Sequence, residues 1–133
     1  MFDDINDLYQ QVILDHCRRP RNFHELSSPT CSAQGHNPLC GDQLKLYLAL
    51  EGEVVKDVSF VGSGCCISKA SASLLTDEVK GKPAADAAKM NSQDVLDMLG
   101  IEISPARLKC ALLSLETLQK ALAPDATTST EAA

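Results

Sequence analysis

The stretch QLKLYLALEGEVVKDVSFVGSGCCISKASASLLTDEV, residues 43–79, decides the fold. In its first part Leu44, Leu46, Leu48 and Leu50 alternate with Gln43, Lys45, Tyr47 and Ala49, the two-residue period of a strand with one buried face. Glu51, Gly52 and Glu53 then supply a tight reversal, and Val54 to Val61 alternates again, so a β-hairpin is expected. Gly62 and Gly64 stop the second strand and deliver Cys65 to the start of a helix. Its apolar positions Ile67, Ala70, Leu74, Leu75 and Val79 keep helical spacing, and Gly81 and Pro83 mark its end.

Upstream of the hairpin, Ile5, Leu8, Tyr9, Val12, Ile13 and His16 form the stripe of an amphipathic helix. That helix begins near Asp3 or Asp4 and ends around Arg18, because Pro20 cannot continue it. Acidic residues open it and basic ones close it, in keeping with the helix dipole. Residues 22–41 read as loop with one short strand before His36. Downstream, short helices are expected over Pro83–Ala88 and Ser92–Leu99. Ser104 followed by Pro105 starts a last helix, whose core face is Leu108, Ala111, Leu112, Leu115, Leu118 and Leu122. The expected organisation is one domain over residues 1–123 and a disordered tail over 124–133, where DATTSTEAA has no large apolar residue.

A net charge of −6 argues against nucleic-acid binding, since phosphate recognition needs a concentrated Lys/Arg surface. No apolar run approaches membrane-spanning length. The acidic amino terminus lacks the features of a secretory signal, so the six cysteines are expected to be reduced thiols or metal ligands in the cytoplasm.

Cys40 and Asp42 flank Gly41, where the backbone can turn closely enough for thiolate and carboxylate to approach one ion. Cys65, between a glycine-rich turn and a helix start, stands where amide donors and the positive dipole end favour a thiolate. Cys110 lies on the second turn of the last helix, off the centre of its leucine stripe. The separations are 25 residues (40 to 65) and 45 residues (65 to 110), unlike the local pairs of a zinc finger. The fold itself has to assemble any common site, and spacing alone leaves unconnected thiols as an equal reading.

LYQQVILDHCRRPRNF, GHNPLCGDQLKLYLAL, VSFVGSGCCISKASASLLTDEVKGK and ARLKCALLSLETLQKAL, in this order, resemble blocks of the SufU/IscU-type iron–sulfur cluster assembly proteins, relatives of the NifU amino-terminal domain. The resemblance spans nearly the whole chain up to Leu122. It implies an α+β fold of the SufE/NifU-like kind, a small three-stranded antiparallel sheet packed against about five helices. It also implies metal ligands at Cys40, Asp42, Cys65 and Cys110, with Cys40 as the catalytic sulfur acceptor.

In the SufU branch such a site holds Zn2+ and takes persulfide sulfur from a SufS-type cysteine desulfurase. The protein is then a sulfurtransferase-like partner rather than a stand-alone enzyme, with a SufBCD-type scaffold or apo iron–sulfur proteins downstream. In the IscU branch the cysteines assemble and deliver a [2Fe–2S] cluster. Lys109 stands where IscU-like sequences carry His, and Arg107 and GSGCCIS are SufU-like. The compact segment from Val79 to Ser104 has IscU-like length, and the IscU chaperone-recognition motif is matched only loosely by Ile103 to Arg107. A reading of another class is a structural zinc-binding adaptor.

Arg107, Lys109 and His36 are candidates for supporting the site or binding a partner, each weighed against simple solvation or, for His36, a hydrogen-bonded imidazole. Cys66 stands where the family more often has a small residue, and is expected to be a small buried thiol. Cys17 and Cys31 match no family ligand. His16 is expected to be a partly buried imidazole, His24 a loop residue and Lys69 a solvated face residue.

Overall fold

The structure is a computed structural model that describes residues 2–37, 41–100 and 103–122; for residues 2–9 and Ala106 it describes the backbone only. Eight elements follow in order: α1 (Phe2–Arg18), β1 (Cys31–Asn37), β2 (Asp42–Glu51), β3 (Val54–Ser63), α2 (Cys66–Val79), α3 (Ala84–Ala88), α4 (Ser92–Leu99) and α5 (Pro105–Leu122). The strands form an antiparallel meander in the order β1-β2-β3. This is the expected α+β architecture.

The alternating leucines of β2 do what their period requires. Leu44, Leu46 and Leu48 are all buried, and each faces a small or apolar partner on β1 or β3: Gly35 and Gly62, Ala33 and Phe60, Cys31 and Val58. Gly52 turns the β2–β3 hairpin with a positive φ of 63°, a conformation that suits the expected Glu51–Gly52–Glu53 reversal.

β1 is longer than expected, a seven-residue strand that includes His36 and Asn37 and takes Cys31 out of the loop to which it was assigned. Gln34, Gly35 and Asn37 have weak strand propensity, but the whole segment pairs residue for residue with Leu48 back to Asp42. Cross-strand pairing overrides the local preference.

The helices cover one face of the sheet. α2 is buried nearly all round at Ala70, Ser71, Ala72 and Ser73 because it passes among α1, α5, α4 and β3. Small residues permit this close passage. Ser71 Oγ donates to the Ala111 carbonyl at 2.6 Å and lies 3.0 Å from Ser114 Oγ, which satisfies the hydroxyls inside the α2–α5 seam. Leu46, Leu48, Val55, Val58, Leu75, Val79, Val95, Leu99, Leu115 and Leu118 form the main core beneath.

The outer edge of β3 is covered at two points. Phe60 N donates to the Asn22 carbonyl at 2.9 Å, and Val55 N donates to that of Lys82 at 2.8 Å. Asn22, at φ 60°, also donates through Nδ2 to Thr76 Oγ1 and Asp77 Oδ1, both at 3.0 Å, so the exit of α1 is pinned to β3 and α2 together. The tail expected at 124–133 lies outside the described residues.

Candidate metal centre

Asp42 opens β2 directly opposite Asn37, the last residue of β1. The Gly41 amide donates to the Asn37 carbonyl at 2.8 Å, and Gly41 takes a φ of 75° to close the hairpin. The Asp42 side chain is thereby carried inward and has no exposed surface. A buried carboxylate needs partners, and the end of β3 provides them: Cys65 N donates to Asp42 Oδ1 at 2.9 Å, and the Cys65 thiol lies 3.8 Å from Oδ2.

Gly64 makes that approach possible, because any side chain there would project into the Asp42 carboxylate. Cys65 is the N-cap of α2 and accepts from Ser68 N at 3.4 Å, so its sulfur sits among the donor ends of the first helical turn. It is half-buried, at the rim of the site.

Cys110 arrives from the second turn of α5. It has no exposed surface, yet it looks toward the end of the sheet rather than only into the leucine core, and Asn37 Nδ2 donates to its sulfur at 3.7 Å. One ligand atom each from Asp42, Cys65 and Cys110 lies within 4.8 Å of the others. For a tetrahedral ion with metal–sulfur bonds of about 2.3 Å and metal–oxygen bonds of about 2.0–2.2 Å, donors fall roughly 3.5–4 Å apart. The set fits one ion after a small contraction, and its mixture of thiolates and a carboxylate suits zinc or iron.

Three of the four ligands expected from the sequence are therefore brought together by β2, α2 and α5. The fourth, Cys40, lies outside the described residues. Arg107 and Lys109 are exposed on the turn of α5 that leads to Cys110, and His36 is exposed on β1. His36 is not a member of the Asp42, Cys65, Cys110 cluster. Asn37 was not anticipated; its place in HNPLCGD was the available signal, since a hairpin closing on Gly41 has to set Asn37 against Asp42.

Two further thiols lie outside the cluster, Cys66 next to Cys65 and Cys31 at the far end of β1 from Asp42. Cys66 is half-buried and packs against the core, and burial together with a hydrogen bond to Cys17 pushes its thiol up to about 12. Burial likewise raises the Cys31 thiol in β1. Neither belongs to the donor cluster among the described residues. His16 is buried as expected, with Nδ1 2.6 Å from Ser73 Oγ.

This is an α+β domain in which one carboxylate and two thiols from three distant segments form a cluster that could hold a metal ion. The model of the NifU-like N-terminal domain matches residues 8–129, and the chain belongs to that family. The zinc-dependent sulfurtransferase SufU of Bacillus subtilis is 36% identical, over 92% of this chain and 94% of its own length. The iron–sulfur cluster assembly scaffold protein IscU of Thermotoga maritima is also 36% identical, over 86% and 92%. Among solved structures, an iron–sulfur cluster assembly scaffold protein for the SUF system from Fervidobacterium islandicum superposes with a TM-score of 0.75 at 25% identity, covering 89% of this chain and 98% of that one. No helix among the described residues is long and apolar enough to cross a membrane.

Proposed function

We propose that this chain works in iron–sulfur cluster assembly as a zinc-binding sulfur acceptor, taking persulfide sulfur from a SufS-type cysteine desulfurase in the cytoplasm. The observation that carries this reading is the convergence of Asp42, Cys65 and Cys110 at the end of the sheet, with Cys65 at the rim. Similarity to a zinc-dependent sulfurtransferase supports it. Cys40, two residues before Asp42, is assigned as the fourth ligand and the acceptor.

In the transfer, the Cys40 thiolate attacks the outer sulfur of the desulfurase persulfide. A sulfur–sulfur bond forms on Cys40, the bond to the desulfurase cysteine breaks, and that cysteine leaves as a thiolate. Bound zinc supplies positive charge that keeps its thiol ligands deprotonated and ordered. Asp42, the hard donor of the set, is the ligand most readily exchanged. Asn37 orients Cys110, and the Ser68 amide orients Cys65. Arg107 and Lys109, exposed beside Cys110, offer positive charge to an acidic face of the partner. A SufBCD-type scaffold or apo iron–sulfur proteins would receive the sulfur or the cluster next.

With a cognate desulfurase, the chain is expected to stimulate sulfide release from cysteine, and Cys40→Ala should abolish that gain. Equal stimulation by the variant would exclude Cys40 as acceptor. Similarity to an IscU scaffold favours a second reading, in which the same residues hold a [2Fe–2S] cluster as cargo. Metal analysis of protein purified without oxygen separates the two: tightly held zinc without visible charge-transfer bands supports sulfur transfer, and a stable absorbing cluster supports scaffolding. A structural adaptor would hold zinc, unfold on its removal and leave every desulfurase unaffected.

A further inference from the structure

The exit of α1 gathers positive charge in a chain whose net charge is −6. Arg18, Arg19 and Arg21 are exposed there, and Lys69 reaches the same corner from the first turn of α2, its Nζ 5.7 Å from the centre of the Phe23 ring. Asp15 is shared between Arg19 Nη2 at 3.3 Å and Arg21 Nη2 at 2.7 Å, and Asp77 takes Asn22 Nδ2 at 3.0 Å. Four cations thus stand against two carboxylates that are already engaged. Leu14, Phe23 and Val54 are the large apolar side chains left exposed among the described residues. Two of these lie on α1 and its exit, with Leu14 one turn before Arg18 on the same helix face.

Phe23 is held in place rather than loose. Its ring meets Phe60 edge-on with 5.2 Å between centroids, and 40% of the residue remains exposed. The preceding backbone is fastened on both sides: Arg21 N donates to Ser73 Oγ at 2.8 Å, Asn22 Nδ2 to Thr76 Oγ1 at 3.0 Å, and Phe60 N to the Asn22 carbonyl at 2.9 Å. A ring fixed before a partner arrives loses little freedom on binding, and aromatic and Arg side chains are enriched at the cores of protein interfaces. The corner adjoins the candidate centre, because the Lys69 amide donates to the Cys65 carbonyl at 3.1 Å, one helical turn from the rim cysteine.

We propose that Arg18, Arg19, Arg21, Phe23 and Lys69 form the docking surface for the sulfur donor, a protein partner that presents an apolar pocket for the Phe23 ring within an acidic rim. The identity of the partner rests on the sulfur-acceptor reading, whereas its chemistry rests on the patch. A second copy of this chain is the poorer occupant. Two copies meeting through this face about a two-fold axis would set cations against cations, and an acidic rim complements them instead. A donor seated here lies one helical turn of α2 from Cys65, beside the centre that its persulfide has to reach. Arg107 and Lys109, exposed on α5, carry the same sign of charge, so one acidic partner suits both groups.

The test measures binding of the full chain to a cognate SufS-type desulfurase at low and high salt, with sulfide release followed beside it. Phe23→Ala should weaken binding about tenfold or more, the loss expected of an anchor residue. Arg18→Glu combined with Arg19→Glu should slow association and flatten its salt dependence. In both variants the half-saturating concentration of chain for sulfide release should rise in step with the dissociation constant. Lys89→Glu, an exposed cation after α3, is the control and should bind as wild type does. Should Phe23→Ala fail to fold, the charge-reversed pair decides, since both of its side chains are exposed. Wild-type affinity in the folded variants would overturn the proposal, as would an equal loss in Lys89→Glu or a dimer of the chain that Phe23→Ala dissolves. Binding that follows the expected order without any stimulation would remove the sulfur-acceptor reading and leave the surface standing; a wild-type chain that does not bind the desulfurase would remove the surface.

Discussion

Gly64 passes so close to Asp42 that a Cβ added at position 64 would meet Oδ1 at 2.5 Å and the carboxyl carbon at 2.9 Å. That carboxylate is fully buried and is held by the Cys65 amide. It has no exposed surface, so the glycine fixes both the strand end and the aim of a carboxylate in the candidate donor cluster.

Gly64→Ala should therefore cost metal affinity more than it costs the fold. Overpacking of this kind typically destabilises by about 1–3 kcal/mol, and a displaced donor should weaken zinc binding on the order of 10–100-fold, the range seen when groups that orient ligands are lost. Chelator competition beside a thermal melt checks it. Unchanged zinc affinity would remove the carboxylate from the ligand set.

Asn37 donates to the Cys110 sulfur from across the hairpin. In Asn37→Ala the sulfur keeps its place on α5 but loses that orienting amide, and zinc affinity should again fall by roughly 10–100-fold. The far-ultraviolet spectrum should be unchanged. Equal chelator resistance in variant and wild type would reduce Asn37 to a hairpin residue.

Cys66 offers a contrast with its neighbour. Its thiol is pushed up to about 12 by burial and by Cys17, and the thiolate is the reactive form. In the metal-free native protein, Cys66 should alkylate more slowly than Cys65 at pH 8, and its rate should still be rising beyond pH 10. Peptide-resolved iodoacetamide labelling measures this. Equal rates at the two positions would contradict the environment described.

His16 is held below its ordinary 6.5, first by burial and then by the nearby Arg21 charge. The unfolded chain therefore binds the proton more readily than the folded one, and stability should fall as pH drops below 6.5 toward the depressed folded value. Asp15, whose hydrogen bond to Arg21 lowers its carboxyl, acts in a separate window below 3.8. Denaturant titrations of metal-free protein between pH 7 and 5 should show the decline, and His16→Gln should flatten it. A variant with the wild-type slope would assign the effect elsewhere.

The strongly periodic elements could be read before any coordinates. The β2 leucines, the Ile5 to His16 stripe and the Ser104-Pro105 helix start each carry their structure in local spacing. β1 could not be read so, because Gln34, Gly35 and Asn37 become strand only through pairing with β2. The donors Asp42, Cys65 and Cys110 stood out through motif resemblance, not through separation in the chain. Asn37 at the Cys110 sulfur depends on how β1 meets α5, which no local pattern encodes.

The described donors come from the first residue of β2, the residue before α2 and the second turn of α5. A ribosome therefore releases Asp42 and Cys65 long before their companion exists. Until Cys110 has been translated and α5 has docked, the growing polypeptide holds only part of the coordination set. If zinc is the resident ion, its capture is consequently a late event in the birth of each molecule, and a nascent chain stalled before α5 should emerge without it.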